Sequence, residues 1–237
     1  MEATLKKTHL KTALILIFSF IAFSCSSPNL QESTPEERVR DARKDMEKHR
    51  NDRAYENLEE LRLVTAGTRL GGEVQFLLGE AGFNSGKYPE AESHYGAYLN
   101  TYPEGPFSQQ ALYKQALSKL KQLQKRKFTG KSYIPYDRNI SLLRESRILF
   151  EIYMEKYPDG EWIEVAAQRA EELLTKEGQH ELEIASFYLR KNSPQSTIER
   201  ARQVLDGSYP DDIKAQAREL IDKAEESLPQ TGNDQDL

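Results

Sequence analysis

Recurring helix stops are the feature that most restricts how this chain of 237 residues can fold. The dipeptide Tyr-Pro, followed by an acidic residue, occurs at Tyr102, Tyr157 and Tyr209, and each copy follows a segment whose apolar residues return every three or four positions. That period is typical of an amphipathic α-helix, and proline cannot continue a helix but can begin the next one. We therefore predict stacked helical units, with each acidic residue in the first turn of the following helix.

Helical periodicity extends over residues 36–228, and no segment shows a sustained alternation of period two. The apolar stripes and stops predict an all-α fold of ten helices in about five pairs. Gly178 leaves open a single longer helix across 161–191, and residues 124–139 form a polar, basic and aromatic insertion between paired helices. The predicted helices lie near 36–50, 52–65, 71–85, 88–101, 107–124, 140–156, 161–176, 178–191, 195–206 and 212–227.

The segment from Leu78 to Pro103 resembles a tetratricopeptide repeat (TPR). Gly79 and Ala91 are the small residues that would let two helices approach closely, and Pro103 would end the unit. The Tyr-Pro copies are 55 and 52 residues apart, against about 34 in a plain TPR, and the insertion and the long helical segment account for the excess. The resemblance implies a TPR-like α-α superhelix, or solenoid. It rests on Leu78-Gly79, Gly86-Lys87-Tyr88-Pro89-Glu90-Ala91, Tyr95, Tyr98 and Pro103.

The N-terminus resembles a bacterial lipoprotein signal. Basic residues precede the apolar stretch 12–23, which is shorter than the roughly 20 residues that a transmembrane helix needs. Cys25, the only cysteine, follows directly, with the small residues Ala22 and Ser24 before it. The resemblance implies removal of residues 1–24, S-diacylglycerol and an N-acyl chain on Cys25, and a flexible tether over 25–35. The alternative is an ordinary signal peptide that leaves Cys25 as an incidental thiol.

Composition excludes several classes of function. The net charge of -5 argues against a nucleic-acid binder, which needs a basic surface. A single cysteine cannot form an internal disulfide or a cysteine-based metal site. His180-Glu181 resembles a zinc-peptidase helix but lacks the second histidine, because Ile184 stands there. We therefore predict no enzyme activity, no metal and no cofactor, and a disordered tail over 229–237.

Two C-terminal segments are similar to the D-subunit family of the β-barrel assembly machinery (BamD). They are the runs from His180 to Lys191 and from Glu199 to Leu205, closed by Tyr209-Pro210-Asp211. The similarity covers residues 36–215 and the lipoprotein signal. It departs in the first unit, where Leu63-Val64-Thr65-Ala66-Gly67 stands in place of the usual Tyr-Pro end.

This resemblance implies an outer-membrane lipoprotein that faces the periplasm and serves as a scaffold for assembly and insertion of β-barrel proteins. Its implied partners are the BamA-like barrel subunit, with the contact around 161–227, the other lipoproteins of the complex, and unfolded outer-membrane proteins at the first units. Tyr133 and Tyr136, in the insertion, are our candidate partner contacts. The alternative function is a periplasmic TPR lipoprotein that coordinates peptidoglycan synthesis or cell division.

Overall fold

The chain is helical wherever it is described. The computed structural model describes residues 33–128 and 136–228, with side chains for 33–123 and 140–228, and these residues contain no strand. Helix bounds agree with the apolar stripes to within a few residues at most ends. The helices of the described residues are α1 Pro35–Glu47, α2 Asn51–Thr65, α3 Arg69–Asn84, α4 Tyr88–Thr101, α5 Ser108–Phe128, α6 Tyr136–Lys156, α7 Ile163–Arg190, α8 Pro194–Asp206 and α9 Asp211–Glu226.

Each helix packs against the next one along the chain, and α1 also contacts α3, as α3 does α5 and α7 does α9. Neighbours run antiparallel. Between α3 and α4, for example, Gly72 lies against Tyr102 while Gly79 lies against Tyr95. A chain whose helices contact only near neighbours in sequence is a stacked helical array. The predicted all-α, TPR-like fold is confirmed.

Apolar side chains form four clusters along the described residues, and each cluster joins three consecutive helices. The first joins α1 to α3, the second α3 to α5, the third α5 to α7 and the fourth α7 to α9. Helices α3, α5 and α7 therefore each contribute to two clusters. This sharing replaces the single central core of a globular domain.

Gly178 lies inside α7, which is one continuous helix of 28 residues. A Cβ atom there would lie 2.6 Å from Ile213 and 3.0 Å from Tyr209. The glycine therefore admits the side chains around α9 rather than ending a helix. Nearer the N-terminus, α1 stops at Glu47 because His49 adopts a left-handed conformation, with φ of 57°.

Two of the three acidic residues predicted to begin helices lie elsewhere. Asp211 is in the first turn of α9, as predicted. Glu104 and Asp159 instead lie in turns, because α5 begins only at Ser108 and α7 only at Ile163. The insertion is also narrower than 124–139, since α5 extends to Phe128 and α6 begins at Tyr136.

Candidate partner-binding surfaces

The residues that the sequence singled out as sites fall mostly outside the described part of the chain. Cys25 and Tyr133 lie outside the described residues, and Tyr136 is the first residue of α6, where the backbone alone is described. The acylation of Cys25 and the contacts of both tyrosines therefore stay predictions. The surfaces that the structure does define lie beside the Tyr-Pro turns.

A first aromatic cluster, made of Phe76, Tyr98, Tyr102 and Phe107, joins α3, α4 and the turn before α5. Phe76 stacks on Phe107 with ring centroids 4.4 Å apart, and Tyr98 lies edge-on to Phe76 at 6.0 Å. Tyr98 is 1% exposed. Close approach of the two helices depends on glycine, because a Cβ at Gly72 would lie 2.8 Å from the Tyr102 ring.

One buried hydroxyl shapes the turn that follows α4. The backbone N–H of Phe107 donates to the hydroxyl of Tyr98 over 3.1 Å, nine residues back in the chain. Gly105 passes so close to that hydroxyl that a Cβ there would collide with it. The Tyr102 hydroxyl donates to the carbonyl of Thr68 over 3.0 Å, which fixes the ring across the start of α3. These bonds hold residues 102–107 as a turn and delay the start of α5.

A pocket of about 370 Å³, hereafter the Tyr102 pocket, opens beside the first aromatic cluster. Its walls are mostly aromatic and its polar groups come from Arg69 and Glu73. The carboxylate of Glu73 accepts from Arg43 of α1 over 2.8 Å, whereas Arg69 forms no ion pair among the described residues. Such a pocket suits an apolar or aromatic side chain, and Arg69 would attract a nearby negative charge. It is lined by Arg69, Gly72, Glu73, Tyr98, Tyr102, Pro106 and Phe107.

A second aromatic cluster, made of Tyr113, Tyr153, Tyr157 and Trp162, repeats this design one unit later. The rings of Tyr113 and Trp162 stack with their centroids 5.0 Å apart. The backbone N–H of Trp162 donates to the Tyr153 hydroxyl over 3.1 Å. Here the side-chain amide of Gln109 also donates to that hydroxyl, over 3.1 Å. Trp162 thus packs against Tyr113 directly before the start of α7.

His94 lies at the centre of a polar cluster that the sequence did not reveal. Its Nε2 atom lies 2.9 Å from the Tyr55 hydroxyl and 3.2 Å from a Glu59 oxygen of α2, and its Nδ1 atom lies 2.9 Å from the amide nitrogen of Gln75 on α3. Burial lowers the pKa of His94, opposed by the charge of Glu59. Burial shifts the pKa of Tyr55 in the opposite direction, raising it to about 12. The cluster ties α2, α3 and α4 together.

Glu177 of α7 is 5% exposed and holds two arginines of α6. Its carboxylate accepts from Arg144 Nε over 2.6 Å and from Arg147 Nε over 3.1 Å. Arg144 also donates to Glu181 over 2.8 Å, and Tyr209 donates to Glu177 over 3.4 Å. The carboxylates raise the pKa of Arg144, with the Glu177 hydrogen bond as the largest cause. Sequence does carry a signal for this network, because Glu177 interrupts an apolar stripe on α7.

The described residues bring no group of three or more histidine, cysteine or acidic side chains together in a way that could hold a metal ion. Over the same residues, no helix combines the length and the apolar character needed to cross a bilayer.

Comparison with known protein families gives a match over most of the chain. The family model named YfiO, described as an outer membrane lipoprotein, matches residues 31–233. No curated protein matches the chain. Among solved structures, it is similar to a tetratricopeptide repeat protein from Parabacteroides merdae ATCC 43184, with 13% identity, coverage of 81% of this chain and 98% of that chain, and a TM-score of 0.27. The fold assignment rests on the helix packing described above.

Proposed function

The chain belongs to the YfiO family of outer membrane lipoproteins, and from that membership we propose that it is a scaffold subunit of the β-barrel assembly machinery. It would sit on the periplasmic face of the outer membrane and take part in the assembly and insertion of β-barrel proteins. The family match over residues 31–233 is the observation that carries this proposal. The stacked helices support it, because such arrays expose extended surfaces suited to partner proteins.

Attachment to the membrane would be covalent, through acyl chains on Cys25 after removal of residues 1–24. More than one acyl chain gives stable anchoring where a single chain does not. A Cys25→Ala variant should lose acyl labelling and move from the membrane fraction to the soluble fraction. A variant at an exposed site of the array, such as Phe187→Ala, serves as the control and should remain acylated. Acylation that survives Cys25→Ala would contradict the proposal.

The contact with the BamA-like barrel subunit is proposed for the C-terminal units, around 161–227, with the other lipoproteins of the complex as neighbours. The ion pairs of Glu177 support this assignment, because they hold α6 and α7 in one geometry and leave helices α7 to α9 a rigid surface. Rigid elements bind at a smaller entropic cost than mobile ones. Tyr133 and Tyr136 remain our proposed additional contacts.

Unfolded outer-membrane proteins would meet the first units, and the Tyr102 pocket is the feature there with a suitable size. Its volume of about 370 Å³ lies within the range of small-ligand sites and can hold one large side chain. Aromatic rings bury large areas and pair well with other rings, so an aromatic residue of a client chain fits it best.

Depletion of the protein in its native bacterium tests the proposed function. We expect the levels of outer-membrane β-barrel proteins to fall, and the barrel subunit to co-purify with the acylated chain. Co-purification with cell-wall synthesis enzymes instead, with normal levels of barrel proteins, would contradict the proposal and favour a role in peptidoglycan synthesis or division.

A further inference from the structure

Two adjacent aliphatic side chains at the end of α2 are the most exposed large hydrophobic residues of the described chain. Leu63 is 73% exposed and Val64 is 69% exposed, whereas the other exposed large hydrophobics range from 41% to 47%. The next residue, Thr65, is buried and turns the chain toward α3. Nothing in the packing of the array explains two uncovered aliphatic residues at this point.

The pair lies at the end of the array where the chain enters the first helix. Helices α1 and α2 are antiparallel, since Arg38 donates to Glu60 over 2.6 Å and to the carbonyl of Asn57 over 3.4 Å. At about 1.5 Å of rise per residue, Val64 is only about 6 Å beyond Glu60 along α2. The end of α2 and the start of α1 at Pro35 therefore share one edge of the hairpin.

The length of the chain before Pro35 limits how far this edge can lie from an anchor at Cys25. Residues 25–34 number ten, and at about 3.3–3.6 Å for each extended residue they reach at most about 35 Å. The chain enters the array at this edge, so the edge stays within that distance of any lipid carried by Cys25. This step rests on the proposed acylation of Cys25.

Charge separates this turn from the equivalent turns at the same edge. The segment 63–69 carries no carboxylate and ends in Arg69, which is exposed and forms no ion pair among the described residues. The turn after α4 carries Glu104, and the turn after α6 carries Asp159 and Glu161. A surface of anionic headgroups attracts arginine and disfavours carboxylates. Of these three turns, the first is therefore the best suited to contact with lipid.

From these observations we infer that the segment Leu63–Arg69 rests on the membrane surface, with the side chains of Leu63 and Val64 in the interfacial region of the bilayer. Two side chains form too small a patch for a specific protein interface, which buries about 800 Å² on each partner. Against a lipid surface a small patch suffices, because the anchor already keeps the protein there at high effective concentration. The contact would set the tilt of the array, with the first unit nearest the bilayer.

The test uses the full acylated chain in vesicles of phosphatidylethanolamine with a minority of phosphatidylglycerol, some of it with brominated acyl chains. A fluorescent thiol label is placed at Val64→Cys, with Glu161→Cys as the control at the equivalent turn two units away. We expect brominated lipid to quench the Val64 label about twofold or more, as for a side chain ~5–10 Å into the interface, and to leave the Glu161 label unchanged. Equal signals at both positions, quenched or not, would overturn the inference.

Failure of the anchor is distinguishable from failure of the contact. Acylated Cys25 offers no free thiol, so labelling of the wild-type chain would show that the proposed acylation is wrong. If acylation holds and the Val64 label is unquenched by lipid but becomes shielded by added purified barrel subunit, the pair is a protein contact and the inference fails.

A second measurement tests whether the two aliphatic side chains themselves make the contact. With a label at Ala66→Cys, quenching should disappear when Leu63→Asn and Val64→Asn are introduced together. Both residues are exposed, so helical circular dichroism should be unchanged. Quenching that persists in this variant would overturn the inference.

Discussion

The two aromatic clusters share one arrangement of the backbone but present different surfaces. In each, a buried tyrosine hydroxyl accepts from the backbone N–H nine residues later, at Phe107 in the first and Trp162 in the second. In each, a glycine, Gly105 or Gly160, makes room for that hydroxyl. Yet a pocket of about 370 Å³ opens beside the first cluster.

A single position accounts for much of the difference. When Phe76 is aligned with Tyr113, Gly72 corresponds to Gln109. Gln109 extends its amide to the Tyr153 hydroxyl in the second cluster. Gly72 has no side chain to place there, and Tyr102 moves in over it instead. Equivalent positions of two repeated units can thus present different surfaces through a change of one side chain.

The largest expected effect tests whether both clusters are equally structural. Tyr98→Ala and Tyr153→Ala should each lower the free energy of unfolding by about 3–5 kcal/mol, because each side chain is almost fully buried and leaves a cavity. The loss at Tyr153 should be the larger, since Gln109 also loses its acceptor. Urea unfolding followed by circular dichroism measures both. Phe187→Ala, at a half-exposed site, should cost less than either, about 1 kcal/mol.

Ion pairs extend the comparison to the charges around each cluster. Glu177→Gln should lower the free energy of unfolding by about 2 kcal/mol, less than the ~3–5 kcal/mol of a fully buried pair because Arg144 is half exposed. Across α3 to α5, the carboxylate of Glu80 accepts a hydrogen bond from the Tyr95 hydroxyl and lies 3.5 Å from Lys114 Nζ.

The matched variant Glu80→Gln should lower the free energy of unfolding by about 1 kcal/mol, because the substitution weakens one ion pair rather than two. The same urea titration measures both. Equal losses at the two positions would show that the number of cationic partners does not matter.

Glycine at position 72 should matter for the pocket more than for stability. Gly72→Ala places a Cβ 2.8 Å from the Tyr102 ring, so the ring must move, at a cost of about 1 kcal/mol typical of overpacking. Binding of an unfolded β-barrel protein, measured by fluorescence anisotropy, should weaken several-fold. Gln109→Ala is the control and should leave binding unchanged. Weaker binding for Gln109→Ala alone would place the client site beside the second aromatic cluster.

The smallest expected effect is a dependence of stability on pH, which only the α2–α4 region should show. The pKa of His94 is lowered by burial, so below the ordinary value of about 6.5 the unfolded chain binds more protons than the folded chain. Stability of the α2–α4 region should therefore fall as the pH drops through and below that value. Hydrogen exchange measured near pH 7 and pH 5 should show faster opening of α4 than of α6 at the lower pH.

His94→Gln should remove that difference between the helices, because glutamine does not titrate. A dependence on pH that is unchanged in His94→Gln would assign it to another group.

Sequence predicts the local part of this structure well. Helix type follows from apolar periodicity, and the packing of Gly79, Tyr95 and Tyr98 follows from the TPR-like spacing; both are short-range signals. Family membership was also recognisable from the two C-terminal segments and the Tyr209-Pro210-Asp211 stop that closes them.

Long-range pairing was not predictable from one sequence. Glu104 was expected to begin a helix, but the bond from Phe107 to the Tyr98 hydroxyl, nine residues away, keeps it in a turn. The Tyr102 pocket depends on which residue stands opposite Tyr102 across two helices. Glu177 finds its arginines 30 and 33 positions away. Partner contacts at Tyr133 and Tyr136 stay predictions.

The continuous α7 has a mechanical consequence. Its 28 residues make a rod about 42 Å long, and its first half packs in the third apolar cluster while its second half packs in the fourth. No break in the helix separates the two halves. A displacement of α5 and α6 by a bound protein should therefore also move α8 and α9. A force applied at one end of the array would therefore also act on any protein bound at the other end.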